Sequence, residues 1–222
     1  MNDPKLVKEQ EKTLETPRMK AGIPAKMLFV LMDLVYGKTA NLSKFLVLEI
    51  VARMPYAAWE NVSYVAITHT HGKPKFARKI HDEVLHARAE QDNETWHLLI
   101  LEELTGKTKK HYGFLRMKAI PQILAFVYYQ ISWILYAIKP RMSYKLNAEF
   151  EDHAEHEYMQ YVKDHPEHDS ELWESAFKDD YGNFETVSNL LRNIGLDERI
   201  HKKRSLDLID KARFSDKGRE ED

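Results

Sequence analysis

Apolar side chains recur every three or four residues along most of this chain, and that spacing constrains its fold more than any other feature. Only 8 glycines and 8 prolines interrupt the 222 residues, and no long stretch alternates with period two. Helices are predicted at about 25–36, 43–68, 75–105 and 115–138, from just after Pro140 to about 163, and at about 184–212. The predicted fold class is therefore all-α, with long helices packed as a bundle.

The chain contains no cysteine. This excludes disulfides, thiolate catalysis and cysteine-held zinc or iron–sulfur clusters. Any metal would have to be bound by histidine and carboxylate, a ligand set that suits iron, manganese or zinc. The formal net charge is −2 with acids and bases mixed along the chain, so no nucleic-acid partner is expected.

The spacing Glu-x-x-His occurs three times, although about one copy is expected by chance in a chain of this composition. The copies are Glu83 with His86, Glu94 with His97, and Glu198 with His201. The last two pairs fall on the apolar faces of their helices, whereas Glu83 and His86 have charged neighbours and are interpreted as a solvated helix end. Position on the helix therefore distinguishes the pairs where spacing does not.

Two further helices place a single glutamate on an apolar face, Glu49 in the second helix and Glu151 in the fifth. A buried carboxylate needs a cation or a shifted pKa. Four helices that each contribute one inward Glu, two of them with a His three residues later, match the di-iron carboxylate set of four-helix bundles. The alternatives are structural ion pairs with Arg or Lys and, for the metal, manganese in place of iron.

Residues 119–138 form a stretch of twenty positions without a charge, long enough to be a candidate for crossing a membrane. A single crossing there would put Glu49 and Glu94 on the opposite side from Glu151 and Glu198. Aromatic residues within the stretch and cations on both sides of it suit a helix lying in one leaflet. We therefore expect a monotopic protein; an ordinary buried helix or a homodimer interface are the alternatives.

Four segments resemble the alternative oxidase family of membrane-surface di-iron quinol oxidases, and most of all its plastid terminal oxidase branch. They are VLEIVARMPYAAW, NETWHLLILEEL, PRMSYKLNAEFEDHAEHEYMQYV and NIGLDERIH. The resemblance covers about residues 25–210. It implies a ferritin-like four-helix bundle with a di-iron site, two apolar helices lying on the membrane surface, and commonly a homodimer.

The resemblance also assigns roles to individual positions. It implies two iron ions held by Glu49, Glu94, His97, Glu151, Glu198 and His201. Asn93 and Asp197 would orient these ligands through hydrogen bonds, and Tyr158 would be a catalytic residue beside the irons. Asp33, Lys44 and Leu48 fall where family members line the quinol pocket. The chain departs from the family at Ile50, Lys44, Glu157 and Gly195, the last two standing where the family has Thr and Arg.

These features predict a quinol:oxygen oxidoreductase that reduces O2 to water without pumping protons. The partners would be ubiquinol or plastoquinol, O2 and one leaflet of an inner, cytoplasmic or thylakoid-type membrane, with the protein body in the aqueous phase. Residues 25–212 would be a single di-iron oxidase domain between an exposed N-terminal arm, 1–24, and a solvated C-terminal tail, 213–222. The alternatives are a di-iron hydroxylase of quinone biosynthesis, a ferritin-like iron-binding protein, and a helical scaffold with Arg-paired carboxylates.

Overall fold

A computed structural model describes residues 2–107, 113–211 and 214. Eight α-helices follow in chain order: α1 Pro4–Glu15, α2 Ile23–Tyr36, α3 Leu42–Thr70, α4 Pro74–Lys107, α5 Ile120–Ile138, α6 Pro140–Asp164, α7 Lys178–Tyr181 and α8 Val187–Ile209. A π-helical turn, Leu115–Ala119, leads into α5, and a 3-10 turn, Pro166–Asp169, follows α6. Within the described ranges no β-strand is present beyond one isolated bridge between Leu172 and Thr186, which confirms the all-α class.

The bundle is built from two helix pairs, α3 with α4 and α6 with α8, and α5 packs against α3. Polar caps fix where two of these helices begin: Asn41 accepts a hydrogen bond from the amide of Lys44, and Thr186 accepts one from the amide of Asn189. The apolar core between the helices is densest around α3, where Phe45, Val47 and Tyr56 are fully buried. Core packing of this kind fixes the inward faces of the helices.

The N-terminal segment differs from its predicted state, because Pro4–Glu15 is a helix packed against α6 and α8 rather than an exposed arm. It buries Leu6, Gln10 and Thr13 on one face. Gln10 donates to the carbonyl of Met159 at 2.8 Å and accepts from Arg192 at 2.8 Å, and Thr13 donates to Glu155 at 2.6 Å. Because two of these three buried side chains are polar, the face carries little apolar character in the sequence, and the prediction of exposure was wrong here.

The predicted C-terminal tail, 213–222, lies outside the described residues except for Phe214. Phe214 is buried, and its ring lies 6.1 Å from that of Phe76 on α4. The prediction of a solvated segment is therefore wrong at this position. The division of the remaining chain into one domain stays a prediction.

Helices α2 and α5 carry most of the large apolar side chains that the protein exposes. On α2, Met27 and Leu34 are 68% and 81% exposed; on α5, Phe126 and Ile138 are 66% and 71% exposed. In the part of the chain that the structure describes, Leu115–Ile138 is also the helix long and apolar enough to cross a membrane by length and composition. These two helices thus form one apolar surface beside the bundle.

Candidate metal centre

The six predicted ligands lie together in the middle of the bundle, and each is at most 5% exposed. They form two groups whose ligand atoms lie within 4.8 Å of one another. One group is Glu49, Glu94, His97 and Glu198, and the other is Glu94, Glu151, Glu198 and His201. Glu94 and Glu198 belong to both groups, so they would be shared between the two ions of a two-metal site.

The orientation of His97 leaves one ring nitrogen for a metal. Its Nδ1 atom faces Glu198 at 3.2 Å and lies 3.5 Å from both Glu49 and Glu94. Its Nε2 atom lies 3.2 Å from Oδ2 of Asp197, which also accepts a hydrogen bond from Tyr181 at 2.6 Å. A carboxylate on the far nitrogen fixes the tautomer and the ring orientation of a metal-binding histidine.

The second group is supported by a chain of buried polar side chains. The Nδ1 atom of His201 lies 2.7 Å from Oε1 of Glu94. Tyr56 donates to Glu151 at 2.8 Å and accepts from Asn147 at 3.0 Å, and Asn147 also donates to Ser205 at 3.1 Å. These contacts hold one oxygen of Glu151 in place and leave the other free for a cation.

The donor set fits two metal ions. Buried atoms without a hydrogen-bond partner include both carboxylate oxygens of Glu94 and of Glu198, one oxygen each of Glu49 and Glu151, and the Nδ1 atoms of both histidines. Buried polar groups are normally satisfied, so this many orphaned atoms in one place calls for a ligand. In the described ranges, the ion pairs of these carboxylates are with His97 and His201, not with Arg or Lys. The Arg-paired scaffold is therefore disfavoured.

Burial and mutual charge perturb the titration of these groups. Loss of solvent, together with the charge of Glu94, raises the pKa of Glu49 to about 8 and that of Glu151 to about 7. Burial acts to raise the pKa of Glu94 as well, but the nearby charge of His201 holds that pKa below its ordinary value. Burial lowers and the charge of Glu94 raises the pKa of His201, with a net rise to about 9. Four carboxylates in so small a space need protons or cations to coexist.

Tyr158 lies directly against this cluster and is fully buried. Its hydroxyl donates a hydrogen bond to Glu49, and its ring stacks on Phe45 with centroids 4.2 Å apart. Burial raises the pKa of Tyr158 well above its ordinary value, so its hydroxyl stays protonated. The predicted catalytic tyrosine is therefore placed to hold a proton beside Glu49, one of the predicted metal ligands.

Gly195 explains how α8 comes so close to this tyrosine. A Cβ atom at this position would lie 2.9 Å from the methyl carbon of Met159 and 3.3 Å from Cβ of Tyr158. A side chain at this position would therefore need the flexible end of Met159 to shift and Tyr158 to give slightly. Gly195, where the family has Arg, thus lies at a point where α8 packs closely on α6.

The predicted quinol-pocket residues are only partly brought together. Lys44 is buried and its Nζ atom lies 2.7 Å from the half-exposed carboxylate of Asp33, whereas Leu48 is buried in the core beside Glu49. A separate apolar groove of about 830 Å³ runs between α2 and α5, lined in part by Met27, Leu31, Leu124, Tyr128 and Leu146. Asp33, Lys44 and Leu48 do not line this groove.

Sequence reasoning missed several residues that support the cluster. Periodicity places Tyr56 two turns after Glu49 on the same helix face, but its hydrogen bond to Glu151 was not predicted. Tyr181 and Asn193, which bond to each other at 2.9 Å, come from the short helix α7 and from α8 and carry no local signal. The side-chain amide of Asn93 lies 3.4 Å from Asp197, so these two residues, both predicted to orient ligands, adjoin each other. Glu83 and His86 lie outside the cluster, with His86 exposed.

The fold and the cluster define a class: an α-helical bundle protein whose buried carboxylates and histidines suit two adjacent metal ions. Residues 5–208 match the alternative oxidase family, and the chain therefore belongs to that family. A curated relative is ubiquinol oxidase 4, chloroplastic/chromoplastic, of Arabidopsis thaliana, which is 34% identical over 133 residues. That alignment covers 60% of this chain and 34% of the relative, so the chain spans about a third of the relative's length. The predicted family and branch are confirmed.

Proposed function

We propose that this protein is a quinol:oxygen oxidoreductase that reduces O2 to water at a di-iron centre. The observation that carries the proposal is the buried cluster in which Glu94 and Glu198 are shared between two groups of metal ligands. Membership of the alternative oxidase family and a relative named as a ubiquinol oxidase support it. The overall reaction consumes two quinols for each O2 and yields two quinones and two waters, so that four electrons and four protons are accounted for.

The protein's own residues supply binding, orientation and protons. Glu49, Glu94, His97, Glu151, Glu198 and His201 would hold the two irons, which when bound supply the redox chemistry of O2 reduction. Asp197 keeps Nδ1 of His97 turned toward the cluster through the contact at Nε2. Tyr158 holds a proton on its hydroxyl next to Glu49, in a site from which the bundle excludes water.

Quinol would reach the centre from the membrane side of the bundle. The groove between α2 and α5 is apolar, as a prenylated ring requires, and α2 leads from it to the Asp33–Lys44 ion pair. Lys44 is almost completely buried and pairs with Asp33, so a polar quinol head would meet this ion pair shielded from bulk solvent. We propose that Asp33, Lys44 and Leu48 act at this inner end, with Lys44 as a single-point donor where an Arg would offer a planar fork.

The exposed faces of α2 and α5 would rest in one leaflet of the membrane. Side chains that are more than half exposed on both helices, such as Val30, Leu34, Ile123 and Phe126, make up a continuous apolar surface. Cations at the ends of α5, including Arg116, Lys118 and Lys139, suit anionic headgroups. This arrangement leaves the bundle in the aqueous phase of an inner, cytoplasmic or thylakoid-type membrane. A homodimer and the lack of proton pumping remain predictions.

The test is oxygen consumption by purified, iron-loaded protein in lipid with short-chain ubiquinol or plastoquinol. We expect two quinols oxidised per O2, no release of hydrogen peroxide, and loss of activity in Glu198→Ala. Glu83→Ala is the matched control, because it removes a half-exposed glutamate of the unused Glu-x-x-His pair on α4. An oxygenated quinone product would favour the hydroxylase instead, and bound iron without any quinol oxidation would refute the oxidase.

A further inference from the structure

A second cluster of metal-binding side chains lies at the surface, in the turn that follows α6. We propose that His165, Glu167 and His168 form a site for a divalent cation of the zinc class. One potential ligand atom from each residue lies within 4.8 Å of the others. The site lies outside the six-residue cluster in the bundle and does not depend on the proposed oxidase function.

Two of the proposed ligands, His165 and Glu167, are already in contact, and His168 is held by two neighbours. The Nδ1 atom of His165 lies 2.7 Å from Oε1 of Glu167, and the Nδ1 atom of His168 lies 2.6 Å from Oε2 of Glu171. The hydroxyl of Tyr161 approaches Nε2 of His168 at 3.1 Å. A hydrogen bond from His165 lowers the pKa of Glu167, which keeps this carboxylate ionised as a metal ligand must be.

The turn is anchored on both sides, so little ordering would accompany binding. Asp169 forms an ion pair with Arg192 of α8 at 3.2 Å, and the carbonyl of Glu171 accepts from the amide of Val187 at 2.9 Å. On the other side, the ring of His165 packs on Tyr161 with centroids 4.2 Å apart. A preorganised site of this kind loses less conformational entropy when it binds its ligand.

A third cluster of carboxylate and histidine side chains lacks the features of a metal site. Asp152, Glu155 and His156 are also close together and buried, but cationic side chains already pair with both carboxylates. Lys202 lies 3.0 Å from Asp152, and Arg199 lies 2.8 Å from Glu155. In the described ranges no Lys or Arg pairs with His165, Glu167 or His168 in this way.

The donor set indicates the metal. Two imidazoles and one carboxylate, with a fourth position for water, match the coordination that zinc adopts at open sites. A cavity of about 440 Å³ lined by Asn41, Ser43, Tyr161 and His165 gives solvent access on one side. Glu171 would orient His168 through the contact already present, as carboxylates do for metal-binding histidines.

The experiment titrates Zn²⁺ alone into iron-loaded protein by calorimetry, with iron content measured before and after. We expect one more zinc ion bound per chain in the wild type than in His165→Ala/His168→Ala. Glu167→Gln, at an exposed position, should weaken this zinc by more than about tenfold, and Glu171→Gln by about tenfold. His69→Ala/His71→Ala is the control, because it also removes two exposed histidines, and it should retain the site.

The comparison between variants isolates the surface site, whatever zinc does at the bundle cluster. Equal zinc binding by the wild type and the His165→Ala/His168→Ala variant would overturn the proposal. Equal loss in the His69→Ala/His71→Ala control would overturn it as well, since it would show nonspecific binding by surface histidines. Loss in both Glu167→Gln and the double variant, with unchanged circular dichroism, would support it.

Discussion

Replacing Glu49 with glutamine separates two effects of this carboxylate, because glutamine keeps its shape but cannot ionise or bind iron as an anion. Glu49 is 1% exposed and accepts a hydrogen bond from Tyr158, which a glutamine carbonyl can also accept. We therefore expect Glu49→Gln to stabilise the metal-free protein and to destabilise the iron-loaded protein. A change in unfolding free energy that is positive without iron and negative with iron distinguishes a metal ligand from a residue that supports the fold directly.

The magnitude follows from the pKa of Glu49, which burial raises from 4.5 to about 8 in the folded chain. Below pH 4.5 the carboxyl is protonated in both folded and unfolded chains and contributes no pH dependence. Above pH 4.5 the unfolded chain releases a proton that the folded chain retains, so stability falls by about 1.4 kcal/mol per pH unit until about pH 8. At pH 7 the metal-free wild type should be about 3 kcal/mol less stable than Glu49→Gln on this account.

The assay is urea unfolding followed by circular dichroism, at pH 4.5 and pH 7 with a chelator, and at pH 7 with ferrous iron under anaerobic conditions. The stabilisation should disappear at pH 4.5 and change sign with iron. Glu83→Gln, on a half-exposed position of α4, is the control and should change stability by less than about 0.5 kcal/mol in every condition. A Glu49→Gln variant that is less stable than wild type at pH 7 with chelator would refute the reasoning.

Three further outcomes are expected. Tyr158→Phe should lower quinol-dependent oxygen uptake at least about tenfold at unchanged iron content, since the proton beside Glu49 is lost; undiminished uptake on an oxygen electrode would contradict this. Asp197→Asn should weaken iron binding by about 10- to 100-fold in a ferrous titration, because His97 loses its orienting carboxylate, and unaltered affinity would count against that role. Arg199→Met should destabilise the fold by about 2 kcal/mol in urea, as the buried Glu155 and helix α1 lose a shared partner; a change below about 0.5 kcal/mol would show that α1 docks without it.

Most of the helical architecture could be predicted from periodicity alone. The third predicted helix, at about 75–105, is observed as α4 at Pro74–Lys107, because apolar spacing defines most of its length. The convergence of Glu94 and Glu198 followed from the same pattern, since a carboxylate on an apolar face has to point into the bundle. Local signals sufficed wherever the relevant contact was made by an inward helix face.

The sequence did not reveal contacts that depend on polar groups far apart in the chain. Gln10 and Arg192 are 182 positions apart and bond at 2.8 Å, so the sequence of α1 alone does not show the partner on which it docks. Tyr181 reaches Asp197 from a short helix in what looked like a polar connection. Such contacts satisfy individual buried donors and acceptors, and only the three-dimensional arrangement shows which groups pair.

The departures from the family also become interpretable only in three dimensions. Glu157, where the family has Thr, pairs with Arg18 at 2.9 Å and so ties the segment after α1 to α6. One residue later Tyr158 lies between the ring of Phe45 and the backbone of Gly195, so its position is set from both sides. A side chain at position 195 would meet the flexible end of Met159, which can shift, and Cβ of Tyr158, which has to give slightly. We therefore expect a larger residue here to change the packing between α6 and α8 beside Tyr158, three residues before the candidate ligand Glu198 on the same face.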